Sequence, residues 1–416
     1  MSFGESMDKE RGGDSLLTAV TDGGLEVCLA DANDKLKLLS YRREEHFLCP
    51  SCKQRVIMKL GDKRIYHFAH IGGSSCPHTY ERESLYHLEG KKQLYLWLKK
   101  EGYCPILEQY DPEIQQRPDI TFIKDGKKYA VEYQCSSIAA DLFKKRTKAY
   151  ISQNYHPLWI LGGNHFKRKG ENTISLSGFD FLFYKTEEFI PYYCSKQNKF
   201  ILATDIHPIS PQKAYANFTF IQPENTPVDL LLKPKKKIPV NLRAWCKLLQ
   251  KVRLNMCKYH TQREGRFLKT LYHNRLNPFL LPPIVGIPIQ SSVIIETSPL
   301  IWQAYVFLDS IHNKKLGQTI YTRDVIGAFF RRCNLKEILI REIPSLCGSK
   351  VDQAVNDYLE VLTELGILKK TSESTFLLMV KVEIPQTTLE QQEMEASLYQ
   401  LLDTISKTNN KSTFRT

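Results

Sequence analysis

The dipeptide Asp125-Gly126 separates two apolar runs, DITFI at 119–123 and YAVEYQC at 129–135. Asp-Gly between such runs marks a tight hairpin turn and commits the stretch to two joined strands. Asp119 opens the first run after a proline, and Glu132 lies near the end of the second, 13 positions further on. A hairpin brings both carboxylates to one edge of a sheet. Glu132 and Gln134 are i and i+2 on a strand, so they share a face. The pattern around the hairpin fixes the rest of the unit. Arg82–Lys100 has a mostly helical apolar period with Gly102 as a stop. CPILEQY reads as a strand before the hairpin, IAADLFKKRTKAYI as a helix after it, and HPLWILGG as a buried strand. The expected order is helix, three strands, helix, strand.

Cleaving a phosphodiester needs a nucleophilic water and a stabilised leaving oxygen, and bound divalent ions provide both. Mg²⁺ is often held by one or two carboxylates plus substrate phosphate. Asp119 and Glu132 suit that demand, with Gln134 placed to touch water. The preceding helix carries Glu83, His87 and Lys91 at i, i+4 and i+8, on one face. That face supplies a further ligand or a charge near phosphate, or else it is a solvated stripe with i,i+4 pairing.

A second cluster is CPSC at 49–52, followed by His70 and Cys76. Cys49, Cys52, His70 and Cys76 make a Cys₃His set suited to structural Zn²⁺. His67 and His78 are rivals for the third and fourth places. His67 and His70 are three apart, so on a strand they face opposite sides and only one is expected to bind. A redox role for CPSC is disfavoured, because no βαβ pattern surrounds it.

The 416 residues carry 58 Lys and Arg against 45 Asp and Glu, a net charge of +13. This excess favours a polyanionic partner such as nucleic acid, though an acidic protein would also answer it. The first 15 residues lack an apolar signal region, and the eleven cysteines fit a reducing compartment, so a cytoplasmic location is expected. Asn277–Ile295 is uncharged, but four prolines make it an extended, buried segment rather than a membrane span. LKPKKKIP places Lys235, Lys236 and Lys237 in a linker able to lie along a phosphate backbone. Residues 247–275 interleave Lys and Arg with Tyr259, His260, Tyr272 and His273, which suits single-stranded nucleic acid. The same stretch reads equally as an amphipathic helix packing through Leu248, Val252 and Met256. Helices at SPLIWQAYVFLDSI, TRDVIGAFFRR and SKVDQAVNDYLEVLTELG, then a hairpin at ILKK-TSES-TFLLM, give a winged-helix-like order. The acids of its third helix favour a protein-contact or structural use. No internal repeat is present.

FLCPSCKQRVIMKLGDKRIYHFAH, ESLYHLEGK, QRPDI, VEYQCS and KKRTKAY together resemble the competence protein CoiA family, Gram-positive bacterial proteins needed for natural transformation. The match is dense over Leu16–Gly163 and thin beyond. The resemblance implies a restriction-endonuclease-like αβββαβ core that processes incoming single-stranded DNA or recombination intermediates. By that likeness Asp119 and Glu132 match the two core metal-binding acids, for Mg²⁺ or Mn²⁺. Glu83 and His87 match the helix motif, and Gln134 falls where a lysine is usual. Glutamine hydrogen-bonds water but adds no charge, so either Lys91 or Arg146 is the compensating cation and phosphate contact, or the site is slow or dead. The expected layout is a disordered stretch at 1–15, a zinc-bearing β module at 16–80 and the nuclease-like domain at 81–221. A Pro/Lys-rich linker follows at 222–240, basic helical and extended segments at 241–297, a winged-helix-like domain at 298–380 and a C-terminal helix and tail at 381–416. The expected function is metal-dependent DNA cleavage in transformation. The rival is a non-catalytic DNA-binding mediator with a degenerate nuclease fold.

Overall fold

The computed structural model describes residues 15–412 apart from 33, 63, 72–75, 77–83, 235–238 and 347–350. Residues 1–14 of the stretch expected to be disordered therefore lie outside the described residues. So do His78, Glu83 and Lys235, Lys236 and Lys237. The chain is mixed α/β and divides into two compact units. One comprises 1–166, 190–202 and 219–235, and the other 167–189, 203–218 and 236–416.

The first unit begins with β1 (Ser15–Leu16), β2 (Thr18–Thr21), β3 (Glu26–Cys28), α1 (Lys35–Glu44), β4 (Phe47–Leu48), β5 (Arg55–Lys59) and β6 (His67–His70). The strands form one sheet in the order β1-β6-β5-β4-β2-β3. In β5 the sequence RVIMK buries Val56 and Met58 and exposes its neighbours, the period-2 pattern of a strand with one face on a core. Phe47, Phe68 and Leu16 complete that core. α1 was not expected among these short strands. It has no buried residue and is set by a local signal, the Asp34 side chain accepting from Lys37 N at 3.1 Å.

Next come α2 (Leu85–Lys100), β7 (Ile106–Leu107), β8 (Ile120–Lys124), β9 (Lys127–Gln134), α3 (Ala140–Ser152) and β10 (Tyr155–Gly162), in the expected order. Ser84 caps α2 by accepting from His87 N at 3.2 Å, and Gly102 ends it at φ 86°. Lys124 pairs with Lys127, so Asp125 and Gly126, at φ 49° and 72°, form a two-residue turn of the left-handed kind. β9 pairs antiparallel with β8 and parallel with β10. Gly90 permits the close approach of α2 to β9: a Cβ there would fall 2.1 Å from the Tyr133 ring.

The chain continues through β11 (Lys167–Gly170), β12 (Thr173–Ser175), α4 (Gly178–Phe181), β13 (Phe189–Cys194), β14 (Lys199–Ser210), β15 (Lys213–Ile221) and α5 (Val228–Leu232). In the first unit β13 adds to β10 in parallel. In the second, β11, β12 and β15 are antiparallel neighbours. The linker expected from 222 is corrected in its first part. α5 buries Val228 and Leu231, and Thr226 O accepts from Trp97 Nε1 at 2.9 Å.

The second unit holds α6 (Leu242–Lys258), α7 (Gln262–His273), α8 (Pro299–Ser310), β16 (Thr319–Tyr321), α9 (Thr322–Asn334), α10 (Val351–Glu364), β17 (Leu368–Ser372), β18 (Thr375–Leu378) and α11 (Thr388–Ser412). β16-β18-β17 form an antiparallel sheet. Trp245, Leu249 and Phe267 share one core with Trp302, Tyr358 and Phe376, so the basic helices are not a separate body. The proline-rich segment is buried, as expected. Gln303 makes that tolerable by accepting from Gly286 N and Ile287 N at 2.7 and 2.9 Å and donating to Ile287 O at 2.8 Å. Among the described residues no helix is long and apolar enough to cross a membrane.

Candidate functional site

Two centres lie in the first unit. The hairpin β4–β5 carries Cys49 and Cys52. Its loop closes through Cys49 N to Gln54 O at 2.8 Å and Lys53 N to Cys49 O at 3.0 Å. The ligand atoms of Cys49, Cys52, His70 and Cys76 all lie within 4.8 Å of one another. Cys52 Sγ is 3.3 Å from His70 Nε2, and Cys49 Sγ is 4.0 Å from Cys76 Sγ. Ligands around a tetrahedral Zn²⁺ stand roughly 3.5–3.8 Å apart, so the set suits that ion. His67 is out of the cluster, with Nδ1 2.9 Å from Ile65 O. The choice between the two strand histidines therefore falls on His70. Contact with Cys76, then burial, pushes the Cys49 thiol up, and burial raises Cys52. A divalent cation supplies the positive charge that would turn such thiols into thiolates.

The second centre is the acid pair. Ile120 pairs with Val131, and one step back in this register sets Asp119 opposite Glu132. Asp119 Oδ2 accepts from Tyr133 N at 2.9 Å and lies 3.4 Å from His87 Nε2. Lys91 Nζ is 3.3 Å from Asp119 Oδ1 and 2.6 Å from Glu108 Oε1. Burial opposes ionisation of Asp119. The Lys91 charge, the His87 ring and the Tyr133 N–H outweigh it and hold the carboxyl well below the usual range. Glu132 goes the other way. Burial pushes it up to about 7, the Asp119 charge adds to this, and Arg146 only partly offsets it. Arg146 Nη2 at 2.6 Å and the Tyr150 hydroxyl both donate to Glu132 Oε1.

Asp119, Glu132, His87, Lys91 and Arg146 are thus gathered at one place. Gln134 is buried on the face of Glu132, and its Nε2 donates to Ser136 O at 2.9 Å. Lys91 and Arg146 differ from the phosphate contacts expected of them. Lys91 has no exposed side-chain surface, Arg146 is buried, and both cations face the acids. Among the described residues, the group of three or more potential metal ligands is the Cys/His cluster and not this one.

Three stretches match descriptions of one family. Residues 83–236 match "Competence protein CoiA, nuclease-like domain", 240–391 its C-terminal domain and 30–79 its N-terminal domain. The chain is 30% identical over 359 residues to the "Competence protein CoiA" of Bacillus subtilis (strain 168), covering 84% of this chain and 92% of that protein. The chain belongs to the competence protein CoiA family. No solved structure matches it.

In this CoiA chain two participants escaped sequence reasoning. Glu108, at φ 52° and 1% exposed, accepts from Leu17 N at 2.9 Å and from Thr18 N and Oγ1 at 3.0 Å, besides Lys91. Nothing local distinguishes it from an ordinary strand-end charge, because its partners lie 17 and about 90 positions away. Tyr150 was legible, since it stands at i+4 from Arg146 on α3 and both reach Glu132.

Proposed function

We propose that the nuclease-like region hydrolyses DNA phosphodiesters with Mg²⁺ or Mn²⁺ held by Asp119 and Glu132, acting on transforming DNA or recombination intermediates during natural competence in the cytoplasm. The observation that carries this is the acid pair set face to face across the β8–β9 hairpin with Lys91 3.3 Å from Asp119. When bound, the ion supplies an activated water and stabilises the leaving oxygen. Lys91 contributes the charge that Gln134 lacks, from a helix instead of the strand. Gln134 orients the attacking water through its amide. His87 fixes Asp119, Arg146 and Tyr150 fix Glu132, and Glu83 completes the helix motif. α2, β7–β10 and α3 act as a restriction-endonuclease-like core. The Cys₃His set holds Zn²⁺ in a structural role. Lys235, Lys236 and Lys237 track the phosphate backbone, and α8–β18 serve as a winged-helix-like unit for protein contact or support.

One observation favours a second reading, a non-catalytic DNA-binding mediator of recombination. Both acids already face protein cations, and Glu132 is only 3% exposed. Cleavage of single-stranded, duplex, flapped and branched DNA with Mg²⁺ or Mn²⁺ separates the two. Cleavage by the parent that disappears in Asp119→Ala and in Glu132→Ala supports hydrolysis. A parent that binds these DNAs and cuts none of them leaves the mediator.

A further inference from the structure

Between positions 241 and 275 there are nine Lys or Arg residues and one acid. Only Arg253 among the nine is fully withdrawn, paired with Glu395 at 3.2 Å and 2% exposed. The lone acid, Glu264, accepts from Thr261 N at 2.7 Å within the cap of α7. Arg243, Lys247, Lys251 and Lys258 are all exposed. At 3.6 residues per turn their positions fall within about 80° of arc, one stripe of α6. The opposite face carries Trp245, Leu249 and Met256 into the core. Packing and charge therefore occupy different sides of the same helix.

α7 adds a second feature. Arg263 Nε and Arg266 Nη2 both donate to Lys336 O, at 3.1 and 3.4 Å, so two guanidinium groups meet at the backbone of a further cationic residue. Two acids that follow or lie beside Lys336's segment, Asp309 and Glu337, are engaged elsewhere, both pairing with Arg332 at 2.8 Å. Like charges held together repel, and a polyanion offsets that repulsion while releasing its own counterions. Tyr259 and Tyr272, at the ends of the two helices, are each 80% exposed. Rings that exposed add little to the fold. They present flat faces beside a cationic stripe, as single-strand binders do for stacking bases.

We propose that the exposed face of α6 and α7, with the Lys336 corner, binds single-stranded nucleic acid, its cations along the backbone and Tyr259 and Tyr272 stacking on bases. An acidic protein would use the charges but has no bases to place against the rings. The site goes beyond the proposed hydrolysis and does not need it.

The test is fluorescence anisotropy with a short labelled oligothymidylate, without added divalent cation, on full-length Asp119→Ala protein. In that background the probe stays intact, so failure of the hydrolysis reading leaves the result unaffected. Lys269 is exposed on α7 one turn beyond Arg266, and adding Arg266→Ala and Lys269→Ala should weaken binding and lower the log–log salt slope by about 1.4, at ~0.7 per lost phosphate contact. Tyr272→Ala should weaken binding roughly tenfold, and Tyr272→Phe should restore it. Arg323, 83% exposed on α9, provides the control, and Arg323→Ala should match the parent. Unchanged affinity in the double variant, or an equal loss in Arg323→Ala, overturns the surface. Full affinity in Tyr272→Ala overturns the single-strand assignment.

Discussion

Asp119 and Glu132 share one pocket of charge and titrate in opposite directions. Asp119 stays ionised throughout the working range. Glu132, lifted to about 7, carries a proton below that pH. Divalent-ion binding at the pair should therefore strengthen as pH rises, by roughly tenfold per unit below 7, and level off above it. Isothermal titration with Mn²⁺ at several pH values checks this, and a flat profile would contradict a Glu132 ligand. The same shift has a second consequence. Between the ordinary carboxyl range and about 7 the folded chain holds a proton that the unfolded chain has released. The metal-free fold should lose stability as pH rises through that window. Glu108 gives the other residue-scale prediction. Lys91 is fully buried between two carboxylates, and Glu108→Gln removes one of them. The variant should unfold at lower denaturant, by about 3 kcal/mol, as expected when one member of a buried pair goes. Equal unfolding midpoints for parent and variant would refute that.

At the scale of elements, α2 is the part on which the acid pair depends, and Gly90 sets how close it comes. Gly90→Ala should cost about 1–3 kcal/mol through overpacking against Tyr133. It should also lower any cleavage, because His87 and Lys91 ride on the displaced helix. Thermal melts and nuclease assays on the same preparation read both effects. The hairpin and α2 were legible because Asp125-Gly126 and the helical period of 85–98 are local signals. α1 was not, since only Leu38, Leu39 and Tyr41 lean on the module's core, half-buried, and so short a set leaves no helical period. Lys91 was seen as a cation but given to phosphate. Its true neighbours depend on how deeply α2 sinks onto β9, and a single glycine whose neighbour is a distant tyrosine decides that. Strand alternation said that only one of His67 and His70 would face the cysteines without saying which, and the cluster holds His70.

At the scale of the whole first unit, Glu108 joins its two parts: its carboxylate takes two backbone N–H groups from the Cys/His-bearing module and the ammonium that faces Asp119. Purified protein should carry about one Zn²⁺ per chain by elemental analysis, and Cys52→Ser should lose it and loosen the module. Freshly purified protein free of metal would exclude this. Cleavage should also fall in Cys52→Ser, through the module's hold on Glu108 and hence on Lys91. The path of the chain bears on the protein before it is complete. It passes between the two units after residues 166, 189, 202, 218 and 235. A ribosome delivers residues in order, at ~5–20 per second. The first unit cannot close until residue 235 has emerged, and segments 167–189 and 203–218 are out long before 236–416. At that speed they wait roughly 10–40 s for the rest of their unit. During that wait Ile209 and Tyr215, which in the finished protein share a core with Trp245 and Trp302, lack that cover, a span in which a holding chaperone would have something to grip.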